Sequence, residues 1–230
     1  MPKNNIIDFI SESLKRSKKK KVEYKFGDGY VFIKDPLPDN IDIQHVLDTV
    51  EELIPYSIRY MVESIMIGDF EEFREREINA LYKDGSIYIT NAQTDNEDMI
   101  DDIVHEIAHA VEEENGYDIY ALDNKLISEF RMKRHRLKSF LEDAGISTQG
   151  YDFGDVEYSL EFDDYLLHTV GYPVLSALCV GLFPTAYSPT SIREYFATGF
   201  EAYFLGDKDY LKKTCPVLFR KIKEILRYDH

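Results

Sequence analysis

The segment His105–His109, with the sequence His-Glu-Ile-Ala-His, most constrains what this chain can fold into. It lies in a stretch whose apolar residues recur at the three- and four-residue spacing of a buried helix face. Residues four apart share one face of a helix, so His105 and His109 would hold a single zinc ion, and Glu106 would reach a water on that ion. The segment therefore predicts part of a zinc-hydrolase site, in preference to two ordinary helix histidines.

Local signals also predict the boundaries of this helix and the strands before it. Residues 94–97, Thr-Asp-Asn-Glu, form a capping-box pattern that would begin the helix, and the helix is expected to end near Gly116. Upstream, residues 78–82 and 86–90 flank Lys-Asp-Gly, a strong signal for a β-hairpin. A second short hairpin is predicted over residues 23–34, around a Gly-Asp-Gly turn.

Most of the remaining chain has helical periodicity. The predicted fold class is α+β, with a small, largely antiparallel sheet packed on the His-Glu helix and a mainly helical C-terminal half. The chain shows no internal repeats and no long linker, so residues 1–230 are predicted to form one domain, with an N-terminal helical extension at about 1–35. Further helices are predicted over residues 5–16, 43–54, 122–144, 165–183, 190–205 and 209–227.

The charge of the chain is uneven and argues against one class of partner. The formal net charge is −16. Residues 1–21 carry seven Lys/Arg and two Asp/Glu, so the remainder carries −21. A body this acidic repels phosphate groups, and we expect no binding to nucleic acid. The run Lys18–Lys21 is interpreted as a solvated helix end, with contact to an acidic surface as the alternative.

No segment predicts a secretory signal or insertion into a membrane. The N-terminal residues are charged and amphipathic, without the continuous apolar region of a signal peptide. The longest apolar stretch, about 172–187, is too short to span a bilayer and is interrupted by Pro173 and Pro184. Cys179 and Cys215 are expected to be buried free thiols. These features predict a cytoplasmic protein, or one exported by a route that needs no signal peptide.

A catalytic zinc site needs a third protein ligand, which the remaining histidines are poorly placed to supply. Position 115, where a metzincin carries a further histidine, is Asn115. His135 lies in a basic helix, His168 in an apolar run, and His230 at the terminus, so each is expected to be structural or solvated. The sequence therefore points to a carboxylate on a downstream helix.

Two glutamates on one predicted helix are candidates for that ligand. Glu194 and Glu201 are seven residues apart and so share one helix face. The residues from Ser191 to Glu194 also match a capping-box pattern, and an alternative is that the Glu194 carboxylate only caps its own helix.

Residues 187–198, Tyr-Ser-Pro-Thr-Ser-Ile-Arg-Glu-Tyr-Phe-Ala-Thr, resemble the downstream zinc-ligand helix of the anthrax lethal factor family and of the related Pro-Pro endopeptidases. In that family a Glu-aromatic-Phe-Ala helix follows a tyrosine placed seven residues earlier. The resemblance implies a gluzincin-type, zincin-like metallopeptidase fold, with Glu194 as third zinc ligand and Tyr187 as the hydroxyl that stabilises the oxyanion. It covers about residues 40–115 and 185–227.

The resemblance also implies a place for the substrate. The strand Ile87-Tyr88-Ile89 resembles the family's edge strand, along which an extended peptide would lie. Two features depart from the family. Thr198 stands where a supporting carboxylate is common, and its hydroxyl is expected to hydrogen-bond a ligand instead. The 84 residues between His109 and Glu194 are more than the family has, so residues 117–184 are expected to be an insertion.

The predicted function is a zinc-dependent endopeptidase that binds one zinc ion per chain and takes a protein or peptide as substrate. Glu106 would be its general base. One alternative is a catalytically silent module that keeps the fold for interaction, such as a phage-particle or toxin component. The other is a metal-independent helical regulator, which would leave the His-Glu segment unexplained. Neither nucleic acid nor a membrane is expected among the partners.

Overall fold

The computed structural model describes residues 24–76 and 78–227, which form a five-stranded sheet and a larger set of helices. The helix predicted over residues 5–16, the run Lys18–Lys21 and His230 lie outside the described residues. The strands are β1 (Tyr24–Phe26), β2 (Gly29–Ile33), β3 (Ser64–Ile67), β4 (Ala80–Lys83) and β5 (Ser86–Ile89). The first five helices are α1 (Ile43–Leu53), α2 (Tyr56–Arg59), α3 (Glu71–Arg76), α4 (Asn96–Gly116) and α5 (Lys125–Asp143). Those that follow are α6 (Leu160–Asp164), α7 (Tyr172–Cys179), α8 (Ile192–Phe204), α9 (Lys208–Thr214) and α10 (Pro216–Ile225), and two π-helical segments span Tyr117–Ala121 and Tyr165–Val170.

The sheet is mixed, which corrects the expectation of a largely antiparallel one. Its strand order is β1-β2-β3-β5-β4. The β1–β2 and β4–β5 pairs are the two predicted antiparallel hairpins. Strand β3 lies between these hairpins and pairs in parallel with both β2 and β5. The hairpins are encoded locally, whereas the position of β3 depends on pairing between distant segments, so the local signals did not reveal the parallel half of the sheet.

The hairpin that precedes α4 has the turn chemistry that its sequence predicts. Asp84 and Gly85 both have positive φ, at 50° and 76°. A two-residue type I′ turn requires positive φ at both central positions, and an Asp-Gly pair adopts that conformation readily. The turn sets the register in which Lys83 lies opposite Ser86 and Ala80 opposite Ile89.

One face of the sheet contributes to the hydrophobic core. Ile65, Ile67, Ile87 and Ile89 have no exposed surface, and they belong to the same buried cluster as the apolar face of α4. The alternate residues of these strands are only partly buried, as expected for a sheet that packs helices on one side. Helix α4 packs against the β4–β5 hairpin, α1 and α8, and is therefore surrounded by the rest of the fold.

The predicted helix around the His-Glu segment is present, with its start shifted by one residue. The cap is Asp95, not Thr94, because the Asp95 carboxylate accepts a hydrogen bond from the Asp98 N–H at 2.9 Å. The helix ends at Gly116, as predicted. Its buried face includes the apolar positions expected from the periodicity, namely Ile100, Ile103, Val104, Ile107, Ala108 and Val111.

Residues 117–184 share the core of the rest of the chain. Their buried side chains, among them Phe130, Leu137 and Phe162, belong to the same apolar cluster as the sheet and α4. The helix predicted over 165–183 consists of a π-helical segment and α7, which are separated by Gly171 at a φ of 83°. Proline at position 216 has no N–H to continue a helix, so the predicted last helix is divided into α9 and α10.

Glu129, a buried glutamate on α5, holds Tyr195, the residue that follows the candidate ligand Glu194. Glu129 is 7% exposed, and its carboxylate accepts a hydrogen bond from the Tyr195 hydroxyl at 2.8 Å. It also accepts from the N–H groups of Val217 and Leu218 at 2.9 and 3.1 Å, so it caps α10 from another helix. One carboxylate thus ties α5, α8 and α10 together.

Cys179 and Cys215 are buried free thiols, as expected. None of the described helices is both long and apolar enough to cross a bilayer.

Close contact between α8 and α10 makes Gly199 a sensitive position. A Cβ atom at Gly199 would lie 2.2 Å from Cδ2 and 2.8 Å from Cγ of Leu218. We expect Gly199→Ala to lower the free energy of unfolding by about 1–3 kcal/mol, because overpacking outweighs the better helix propensity of alanine. Gly116→Ala is the matched control, since nothing lies within 4 Å of a Cβ there. Chemical denaturation measures both, and equal stability of the two variants would contradict the prediction.

Candidate metal centre

Three side chains from two helices converge at one point. His105 and His109 lie one turn apart on α4, and Glu194 faces them from α8. One oxygen of Glu194 lies 3.1 Å from Nε2 of His105, and the other lies 3.8 Å from Nε2 of His109. Within the described residues these three form a group whose donor atoms all lie within 4.8 Å of one another. The sequence-predicted histidine pair and the favoured glutamate are therefore brought together.

The start of α8 leaves the Glu194 carboxylate free to face the histidines. The Ser191 hydroxyl caps the helix by accepting the Glu194 N–H at 3.1 Å, so capping uses the main chain of Glu194 and not its side chain. The Thr198 hydroxyl donates to the Glu194 carbonyl at 2.6 Å and lies 2.8 Å from the Ser188 hydroxyl. The sequence predicted that the Thr198 hydroxyl hydrogen-bonds a ligand group. In the structure it contacts the main chain of Glu194 and the loop before α8.

A carboxylate lies at the Nδ1 atom of each imidazole. Glu201 lies 3.3 Å from Nδ1 of His105, on the opposite side of the ring from Glu194. This arrangement makes Glu201 a partner of the histidine rather than an alternative third ligand. Glu112 lies 2.5 Å from Nδ1 of His109. Carboxylates at Nδ1 orient imidazoles whose Nε2 binds a metal and fix the tautomer that leaves Nε2 free.

The sequence did not predict these roles, since it offered Glu201 only as an alternative third ligand and did not single out Glu112, although both leave a signal in the spacing. Glu112 is three residues after His109 on the same helix face, and Glu201 is seven residues after Glu194. Glutamates at such positions are common on solvated faces, so spacing alone does not separate a buried partner from an exposed acid. The distinction comes from packing: Glu112 is 5% exposed.

The electrostatics of the cluster favour a positive charge between the carboxylates. Burial would lower the pKa of His105, but its hydrogen bonds with Glu194 and Glu201 outweigh this effect and raise the pKa to about 10. Burial would raise the pKa of Glu194, but the hydrogen bond from His105 and the charge of His109 hold that pKa below its ordinary value. Both shifts show that the carboxylates around the imidazoles favour a positive charge among them, which a proton on His105 supplies when no metal is bound.

Glu106 is buried beside this cluster, next to the open edge of the sheet. It is 6% exposed, and burial raises the pKa of its carboxyl group above the ordinary value. The charges of both histidines and a hydrogen bond from the main chain of Tyr82 act in the opposite direction. Tyr82 belongs to β4, one of the two edge strands, so the candidate base is in contact with an edge of the sheet.

Tyr187 lies in the loop that leads into α8, at the position relative to Glu194 that the resemblance implied. Its carbonyl accepts from the N–H and the hydroxyl of Thr190 at 3.0 and 2.7 Å, which fixes the loop. Burial and the negative charges of Glu194 and Asp163 raise the pKa of its hydroxyl. The phenol therefore stays protonated and able to donate a hydrogen bond near the candidate centre.

The predicted substrate strand requires a correction. Ile87, Tyr88 and Ile89 belong to β5, whose two sides pair with β3 and β4, so no main-chain group of this strand is free to pair with a peptide. Ile87 and Ile89 are buried in the core, and Tyr88 packs against Phe70 with ring centroids 5.5 Å apart. The assignment of the edge to β5 was wrong because a hairpin signal does not show which of its two strands is outermost.

The open edge next to the site is β4. A cavity of about 470 Å³ lies between the end of this strand and the C-terminal part of α4. Tyr82 and Lys83 of β4 line one side, His109 and Tyr120 line another, and Arg193 from α8 is at its rim.

Two histidines that were expected to be structural or solvated lie among the described residues. Nδ1 of His135 lies 2.8 Å from the Arg131 carbonyl oxygen, and His168 is exposed beside Asp164.

Comparison with known proteins gives no match: no protein-family model matches this sequence, and neither does any curated protein or solved structure. The structure therefore defines the class by itself. It is an α+β protein with a small mixed sheet and a His-His-Glu cluster that could hold a metal ion.

Proposed function

We propose that this protein is a zinc-dependent endopeptidase of the zincin-like type, with one zinc ion per chain. The observation that carries the proposal is the convergence of His105, His109 and Glu194 with Glu106 buried beside them. Two imidazoles and one carboxylate are the ligand set of a large group of catalytic zinc sites, in which a fourth position stays open for water. The sequence resemblance to the lethal factor family supports the same assignment.

The dimensions of the cluster fit zinc. Bonds of about 2.0–2.2 Å in a tetrahedral arrangement put ligand atoms about 3.3–3.5 Å apart. The Glu194 oxygens lie 3.1 and 3.8 Å from the two Nε2 atoms, on both sides of this value. The histidines and Glu194 are mostly buried, which favours retention of the ion. All three donor atoms lie within 4.8 Å of one another, so small side-chain rotations would bring them to the separations that zinc requires.

The chain supplies the other groups that peptide hydrolysis needs. Zinc in this site would act as a Lewis acid, lowering the pKa of a coordinated water to about 7 and polarising the scissile carbonyl. Glu106 takes the proton of the attacking water and later gives it to the leaving amine. Tyr187 donates a hydrogen bond to the carbonyl oxygen as negative charge develops there. Glu106 is buried and Tyr187 is partly buried, which limits the access of competing water to these transfers.

The substrate is proposed to bind along β4 and not along β5. Alternate main-chain groups of β4 lie on the side away from β5. The Tyr82 N–H there is bonded to Glu106, and an extended peptide would pair with the other groups as an added strand. The contact of Tyr82 with Glu106 brings this edge next to the base. A peptide held there would present one of its carbonyl groups to the candidate centre.

Zinc-dependent cleavage of peptides tests this proposal. The purified full chain is treated with a chelator, divided, and reloaded with zinc or left metal-free before incubation with a mixed peptide library. Mass spectrometry then reads new internal termini. We expect cleavage only in the zinc-loaded sample. One bound zinc without any cleavage would favour the catalytically silent interaction module, and absence of zinc binding would contradict both.

A further inference from the structure

Glu112 is a buried carboxylate with three partners at the candidate centre. It is 5% exposed. One of its oxygens lies 2.5 Å from Nδ1 of His109 and 3.5 Å from Nε of Arg193. The other accepts a hydrogen bond from the Tyr120 hydroxyl. Burial of a carboxylate is costly unless such partners compensate, so this arrangement constrains each group that takes part in it.

The π-helical segment after α4 brings Tyr120 to this carboxylate. The Leu122 N–H donates to the Tyr117 carbonyl at 3.0 Å, five residues back, which is the wide turn of a π-helix. One extra residue in a turn changes the direction of every later side chain. In this segment the Tyr120 hydroxyl donates a hydrogen bond to Glu112, which lies eight residues earlier in the chain. Irregular turns of this kind are frequent at functional sites.

Arg193 connects the same carboxylate to the third ligand. Arg193 immediately precedes Glu194 on α8, and its guanidinium pairs with Glu112 on α4. Glu112 is therefore in direct contact with one ligand and with the neighbour of another. Glu201, the partner of His105, has a more exposed side chain at 27% and comes from α8 itself.

We propose that Glu112 is a positioning residue of the metal centre, fixing the ring of His109, and that Tyr120 and Arg193 hold it in place. The inference rests on the proposed function, since it concerns the same zinc site. An imidazole that donates its Nδ1–H to a carboxylate keeps Nε2 unprotonated and becomes a stronger ligand. Loss of such an outer partner typically weakens metal binding about 10- to 100-fold.

Zinc affinity of single variants tests the proposal without any need for a substrate. The zinc dissociation constant is measured by competition with a chromophoric chelator for the wild type, Glu112→Gln and Tyr120→Phe. We expect about 10- to 100-fold weaker binding for Glu112→Gln and a smaller loss for Tyr120→Phe. The double variant should lose less than the product of the two single effects, because the tyrosine acts through the glutamate. Glu114→Gln, the same change at an exposed position of α4, should bind zinc as the wild type does.

Two further measurements separate positioning from general destabilisation. The visible absorption spectrum of the cobalt-substituted protein reports ligand geometry, and we expect Glu112→Gln to alter it while Glu114→Gln does not. Thermal unfolding of the metal-free variants shows whether each still folds. If Glu112→Gln does not fold, Tyr120→Phe retains the carboxylate but removes one of its hydrogen-bond donors, and it decides the question by its zinc affinity and cobalt spectrum.

The outcomes distinguish this inference from the function on which it rests. Wild-type protein that binds no zinc overturns the proposed function and the inference together. Wild-type protein that binds zinc, with a folded Glu112→Gln of equal affinity and unchanged cobalt spectrum, overturns the inference alone. Unchanged affinity and spectrum in Tyr120→Phe would overturn the role of the tyrosine in the same way.

Discussion

Glu106→Gln should reduce the rate of peptide cleavage by about 10²- to 10⁴-fold, because glutamine keeps the shape of the side chain but cannot take a proton. Zinc content should not change, since the cluster of possible ligands consists of His105, His109 and Glu194 and does not include Glu106. The measurement is kcat/KM on a peptide identified from library digestion, with zinc content determined on the same sample.

Glu114→Gln is the matched control for this prediction. It makes the same chemical change on the same helix at an exposed position, and its kcat/KM should equal that of the wild type. A Glu106→Gln protein that carries zinc and cleaves at the wild-type rate would exclude Glu106 as the base. Loss of zinc in that variant would instead mean that Glu106 supports the ligands.

Glu194→Ala should weaken zinc binding by more than the loss of an outer partner does, which is about 10- to 100-fold. It removes one of the three proposed ligands, and the only carboxylate among them. The effect also appears in stability. Zinc at about 1,000 times its dissociation constant stabilises a folded protein by about 4 kcal/mol, which raises the Tm of a domain of this size by about 10 °C. Differential scanning calorimetry with and without zinc should show this rise in the wild type and not in Glu194→Ala.

Glu201→Ala separates a ligand from a partner of a ligand. Its carboxylate lies at Nδ1 of His105, so zinc should bind more weakly than to the wild type but more tightly than to Glu194→Ala. The reverse order of affinities would identify Glu201 as the third ligand and contradict the assignment of Glu194.

The helices and hairpins of the site were predictable because their signals are local. The periodic apolar residues around His105–His109 describe one buried helix face, and that face is buried in the structure. The Asp84-Gly85 turn requires positive φ at two consecutive positions, which few other pairs adopt. The convergence of Glu194 with the histidine pair was expected from a resemblance and is present in the fold.

Features that depend on packing between distant segments were not predictable. The parallel pairing of β3 with β2 and β5 joins segments without any short connecting turn, so the sequence suggested a more antiparallel sheet with β5 at its edge. The roles of Glu112 and Glu201 depend on which glutamates are buried, and an acidic chain offers many at helical spacing. The π-helical turn at Tyr117–Ala121 adds one residue to a helix, which periodicity over a few residues does not resolve.

The position of zinc in crystals of the zinc-loaded protein tests the central claim most directly. Anomalous diffraction measured on both sides of the zinc absorption edge locates the ion without reference to any assumed ligand. The account predicts one peak per chain, about 2.0–2.2 Å from Nε2 of His105, Nε2 of His109 and a carboxylate oxygen of Glu194. A peak at other residues, or none in protein supplied with zinc, would contradict it.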